Sequence, residues 1–206
     1  MLAALGVKST NVKGVRVKLS DFSYKGRSRV FLETAGAMLL GGACYSATIY
    51  AIIPIYFLGL GLSLGQIGAL YAGYFLIEGS VLNAVSQKKI STMKIAYASA
   101  AMFVVCLLGM ALMPYAAAAF FLVMAIGDGA LTIAWEELNF RIASKSKRRA
   151  TDLTAVSIPS YIGIAVVTGA SGFVAASFGY LPIFAACAVS EAGFALWCLR
   201  LPSVKG

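Results

Sequence analysis

The sequence predicts an all-α integral membrane protein, a bundle of six transmembrane helices, and three observations carry that prediction. The first is composition. Of 206 residues, 60% are hydrophobic and 12% charged, with a mean hydropathy of +0.86, whereas about a quarter of a water-facing domain is charged. The second is six apolar runs of roughly twenty residues, since a rise of about 1.5 Å per residue then matches a hydrocarbon core roughly 30 Å thick. The third is the placement of the 17 Lys and Arg. Seven precede the first run, three follow the second, five follow the fourth and two close the chain, while the links near Gly59, Pro114 and Gly179 carry none. Basic residues collect on the cytoplasmic side. Six spans in the cell membrane with both termini cytoplasmic therefore satisfy the rule at every link, and five or seven spans break it. The formal charge of +9 does not point to nucleic acid, because the basic residues lie between apolar runs rather than along one soluble face. They read as topology signals and contacts to anionic lipid.

Residues 1–31 form a basic cytoplasmic segment, 32–201 the six spans and 202–206 a cytoplasmic tail. MLAALG is too short for a signal-peptide core and no basic segment precedes it, so no cleavage is expected. VKGVRVKL alternates apolar and basic residues, which suits a strand, a headgroup contact or a disordered tail. The first span, about 33–58, holds Gly36, Gly41, Gly42 and Pro54, so a kinked helix is expected whose broken backbone is satisfied by its neighbours. The second, about 64–87, is interrupted by Glu78 and ends at Lys88, Lys89 and Lys94. The third runs from about Ile95 to Met113 and stops at Pro114. The fourth, about 115–138, contains Asp128 and ends in Trp135, Glu136 and Glu137, followed by the loop RIASKSKRR. The fifth covers about 153–178 and the sixth about 181–199. Trp135 and Trp197 are assigned to the inner interface, Tyr115 and Tyr180 to the outer, as an aromatic belt.

With no His in the chain, imidazole chemistry is excluded. Cys44, Cys106, Cys187 and Cys198 lie inside spans without CxxC or CxxH spacing and read as small buried residues. The glycines around Gly59 to Gly68 do not have nucleotide-loop spacing, and no strand precedes them. No cofactor or metal is expected. Lacking a nucleophile–base pair or a metal cluster, the chain does not read as an enzyme. The informative residues are Glu78, Asp128 and Glu191, acids near mid-bilayer. A carboxylate there costs several kcal/mol unless protonated, paired or facing water, and no Lys or Arg lies at similar depth. Proton coupling or attraction of a cationic solute is one reading; a protonated side chain bonded to a neighbouring helix is the other. Gly127 and Gly129 beside Asp128 leave room for a solute or a helix. Ala165 and Gly169 form a small-xxx-small pair on the fifth span, with Gly163 and Gly172 nearby, suited to packing or to sliding against another helix.

Several stretches carry a resemblance. One is IIPIYFLGLGLSLGQIGALYAGYFL, in which a helix ending near Pro54 meets the turn Leu60 to Gly68. Others are Gly79-Ser-Val-Leu-Asn83 before Lys88 and Lys89, Ser157-Ile-Pro159 with Gly163, Gly169 and Gly172, and Gly179-Tyr-Leu-Pro-Ile-Phe184. From about Phe31 to Leu201 the chain resembles one six-helix half, by its basic N-terminal segment the C-terminal half, of the major facilitator superfamily of secondary transporters. It departs from the family at Asn83, where Asp is usual, and at Ala84 and Ser86, where a basic residue and Gly are expected. The fifth span also lacks the Gly-Pro pair of the antiporter signature, and six spans stand where the family has twelve.

The resemblance implies two inverted three-helix repeats enclosing one side of a midplane path, with the lipid bilayer, a small solute and a complementary half or second copy as partners. It implies secondary transport by alternating access, with protons as one candidate driving ion, and a substrate or proton path at Asp128 and Glu78. It also brings Lys88 and Lys89 near Glu136, Glu137, Arg148 and Arg149 as a cytoplasmic gate; the plainer reading is a solvated charge cluster. The alternative function is a non-transporting remnant or interaction subunit of a full-length transporter.

Overall fold

A computed structural model of the chain describes residues 22–25, 27–87, 92–144 and 149–198, with backbone only at 92, 93, 134, 137, 138, 140–144, 149 and 198. All regular structure among them is helical: α1 (Arg29–Ala47), a π-helical turn (Thr48–Ile52), α2 (Ile53–Gly59), α3 (Leu64–Ser86), α4 (Thr92–Leu112), a 3₁₀ turn (Pro114–Ala116), α5 (Ala117–Ser144), α6 (Arg149–Phe178) and α7 (Leu181–Cys198). The starts follow local chemistry. Ser28 caps α1 by accepting the Phe31 N–H, and Ser63 and Gln66 cap α3 reciprocally. The tight turns before α3 and α7 pass through Gly61 at φ 87° and Gly179 at φ 78°, where a side chain would be strained.

On length and composition, Arg29–Gly59, Lys94–Leu112, Pro114–Ile133 and Ala150–Phe178 are long and apolar enough to cross a membrane, and Leu181–Trp197 is a shorter apolar helix. The sequence reading counted six spans. The helix α3 has the length, at 23 residues, but Gln66, Glu78 and its glycines dilute its hydropathy. Large apolar side chains also face outward: Leu32, Leu64, Leu76, Val105, Phe173 and Val189 are all exposed.

Taking α1, the π turn and α2 as one long helix, the bundle has a simple plan. This first helix packs on α6 and α7, α5 packs on α3 and α4, and α4 packs on α7. Exchanging the first three long helices with the last three leaves that pattern unchanged. The two matching crossings are both made close by glycine. A side chain at Gly163 of α6 would collide with Ala43 of α1, and one at Gly129 of α5 with the Glu78 carbonyl of α3. The room beside Asp128 is thus filled by helices: Gly129 admits α3, and Gly127 admits Ser99 and Met102 of α4. Ala165, Gly169 and Gly172 remain uncovered among the described residues.

The prolines show how the backbone is kept satisfied. Proline offers no N–H to the carbonyl one turn back, and at three places a tyrosine from another element donates to that carbonyl. Pro114 abandons Met110, whose carbonyl accepts from Tyr56 at 2.5 Å. Pro159 abandons Ala155, which accepts from Tyr24 at 2.5 Å. In the π turn the Ile53 N–H bonds Thr48, Pro54 has nothing to give Ile49, and Tyr71 of α3 donates to the Ile49 carbonyl. The irregularity expected at Pro54 is this π turn.

The chain just before α1 is held down as well. Phe22 and Tyr24 pack with Phe31, Ala35, Ala155 and Val156, Arg27 pairs with Asp152 of α6, and Arg27 lies over the Phe31 ring. Burial raises the Tyr24 pKa, with Arg27 opposing it, so this hydroxyl remains a donor at neutral pH. Part of the segment read as a tail is therefore ordered against α6; residues 1–21 lie outside the described residues.

Candidate functional site

Asp128 sits on α5 with 1% of its surface exposed. Two hydroxyls converge on one oxygen: Tyr45 from α1 and Tyr74 from α3, the latter at 2.7 Å, both donate to Oδ2. Local packing holds these donors in place. The Tyr74 ring stacks on Phe121 of α5, with centroids 4.5 Å apart and planes 18° from parallel, and Tyr45 lies against Phe103 of α4 at 5.5 Å. Three helices thus meet at one carboxylate. No described group donates to Oδ1.

Asp128 also lines a cavity of about 200 Å³ between α1, α5 and α6, with Phe194 of α7 at its edge. Tyr45, Trp135 and Tyr161 supply aromatic surface, and Thr132, Ser157 and Ser160 supply hydroxyls. The α1 wall is bare at Gly42, where a Cβ would come within 2.7 Å of the Trp135 ring and closer still to the Ser160 hydroxyl. Trp135, assigned from sequence to the membrane interface, instead points inward and meets Phe194 at 5.7 Å. A position near a basic loop does not tell which face of the helix a residue takes.

The other acids are arranged differently. Glu78 is half-buried on α3, outside the cavity lining but near enough to feel the charge of Asp128. Glu191 on α7 is 1% exposed, and neither carboxylate oxygen has a hydrogen-bond partner. It lies close to Cys44 and also senses Asp128. Cys44 and Cys187 are neighbours, and Thr48 donates to Cys187 at 3.0 Å. Cys106 is a buried free thiol, and the Cys198 side chain lies outside the described residues. No group of described residues could hold a metal ion.

Of the gate residues, Glu136 is exposed on α5. Lys88, Lys89, Arg148 and the side chains of Glu137 and Arg149 lie outside the described residues. The long-range ion pair described near the start of α6 is Arg27 with Asp152. The residues that sequence reasoning missed are the partners of Asp128: Tyr45, Tyr74 and the hydroxyls opposite. Their signal was a set of polar side chains inside apolar spans. No protein-family model, curated protein or solved structure matches this chain.

Proposed function

We propose that this chain forms one six-helix wall of a secondary transporter of the major facilitator type, moving a small solute through a cell membrane by alternating access. The observation that carries the reading is the carboxylate of Asp128, buried where α1, α3 and α5 meet, bonded through Oδ2 to two tyrosines and lining a cavity. A buried intramembrane acid with no basic partner is costly and marks a substrate or ion path. Two further observations support it. The main helix pairings map onto themselves when the first and last three long helices are exchanged, as an inverted repeat requires. Only 6% of the residues in the most apolar window of α6 are buried and α3 buries only Ile67 and Tyr74, so both helices offer a face to a second wall.

In this reading all six long helices span the bilayer with cytoplasmic termini, α3 crossing under the cover of α5. The second wall is a complementary six-helix unit or another copy. Solute reaches Asp128 from one side, and rocking of the glycine-tight helix pairs exposes it to the other. Protons drive the cycle where Asp128 binds and releases one per turnover.

The uncovered α6 face around Ala165, Gly169 and Gly172 also suits an interaction subunit that packs on a complete transporter and moves nothing. Vesicles carrying the chain, alone and with co-purifying partners, separate the two. Under an imposed pH gradient the parent should accumulate at least one of a panel of labelled amines, amino acids and sugars. Asp128→Asn should lose pH-driven uptake and keep solute exchange. No uptake of any solute in either preparation would leave the subunit reading.

A further inference from the structure

We infer that the cavity beside Asp128 is a binding site for a small organic cation, an amine or quaternary ammonium of monovalent charge. The inference rests on the transporter reading for its biological use, but the site itself is argued from its walls. The two groups bonded to Asp128 are tyrosine hydroxyls, which satisfy hydrogen bonding at Oδ2 without neutralising charge. No basic side chain lines the cavity among the described residues, and the chain contains no His. Glu78, half-buried on α3, lies near enough to interact with the Asp128 charge, so a second acid borders this part of the bundle. Such a field repels an anion and gives a neutral solute no advantage.

The rest of the lining fits the same ligand. Tyr45, Trp135 and Tyr161 present aromatic surface, and a cation over an aromatic face is attracted by the ring quadrupole. Thr132, Ser157 and Ser160 supply neutral oxygens that can accept from an ammonium N–H or serve a hydroxyl on the ligand. With about 200 Å³, the cavity holds the equivalent of about seven waters at roughly 30 Å³ each, which limits the ligand to a small ammonium head. Oδ1, which accepts from no described group, is the contact left for it. Gly42 lets Trp135 and Ser160 close against α1, because a methyl group there would press on both.

The test compares choline with 3,3-dimethylbutan-1-ol, the same shape with carbon in place of the charged nitrogen. The full chain is purified in maltoside micelles free of amine headgroups, and binding is followed by calorimetry and tryptophan fluorescence. Choline should bind more tightly than its neutral isostere by about tenfold or more. Asp128→Asn keeps an oxygen for both tyrosines and should abolish that preference with thermal melting near that of the parent. Trp135→Phe should retain most of the preference but lose the fluorescence response, because Trp197 packs at Gly36, outside the cavity lining. Should Asp128→Asn melt early, Trp135→Leu serves instead and should weaken choline more than the isostere. Absence of choline binding, equal binding of the two ligands, or an undiminished preference in the substituted chains overturns the inference. Choline binding with no solute flux in vesicles would uphold the site and defeat the transporter reading; flux of a solute without preference for cations would do the reverse.

Discussion

Asp128 and Glu191 are both carboxylates with 1% of their surface exposed, both near the middle of apolar helices, and neither paired with a described basic side chain. They are nonetheless opposites. Asp128 gathers hydroxyls from α1 and α3 and faces a cavity, whereas Glu191 is packed between helices with neither oxygen bonded. Burying an ionised carboxylate without a partner costs several kcal/mol, so any state in which Glu191 carries charge requires a partner brought in from elsewhere. Depth alone therefore does not make an acid functional. What distinguishes the two is whether the neighbouring helices supply donors and space.

The largest expected effect breaks this pair apart. Asp128→Leu strands two buried hydroxyls and should lower stability by about 2–5 kcal/mol, while Glu191→Leu loses no hydrogen bond and should leave the unfolding midpoint unchanged or raise it. Equal losses in denaturant titrations in mixed micelles would show that the partners of Asp128 do not matter. Next, Tyr74→Phe keeps the ring on Phe121 but removes one donor to a carboxylate, an expected cost of about 1.5–3 kcal/mol if the acid is ionised; a cost below about 0.5 kcal/mol would mean that Tyr74 contributes little to holding Asp128. Tyr71→Phe removes a donor to a neutral carbonyl and should cost about 1 kcal/mol. That cost should fall in a Pro54→Ala background, which restores a backbone N–H near the Ile49 carbonyl, and a double-mutant cycle without coupling would reject the pairing. Smallest is Arg27→Gln. Its pair with Asp152 is partly open to solvent, with side-chain exposures of 23% and 11%, and screening should hold the loss to within about 1 kcal/mol in thermal melts.

The helices were legible because length, hydropathy and the spacing of Gly, Pro and Ser are local signals. Ser63 with Gln66 three residues on marks the start of α3, and Pro114 marks the break between α4 and α5. The acid at the site was legible too, since Asp128 stands out in an apolar run. Its surroundings were not. Tyr45 lies 83 residues from Asp128 in sequence and Tyr74 lies 54 away, and their meeting depends on how three helices rotate about their axes. Nearly uniform apolar helices have little periodicity to fix that rotation, which is also why Trp135 was placed at the interface when it faces the cavity. The polar and glycine positions of α3 lower its hydropathy, while the close approach of α5 is made at Gly129 against the Glu78 carbonyl and at Gly73 against Leu122.

The π turn at Thr48–Ile52 does more than accommodate a proline. Tyr45 and Tyr56 are eleven residues apart, which on an unbroken α-helix would bring them within about 20° of one face. They serve different neighbours, Tyr45 reaching Asp128 on α5 and Tyr56 the Met110 carbonyl on α4. The wider turn absorbs one extra residue and delays the downstream phase by about 100°. It acts as a swivel between two halves of one rod. Were the same residues wound as unbroken α-helix, the hydropathy of the first span would be untouched, yet Tyr56 would come round toward the face of Tyr45 and leave the carbonyl before Pro114 without its donor.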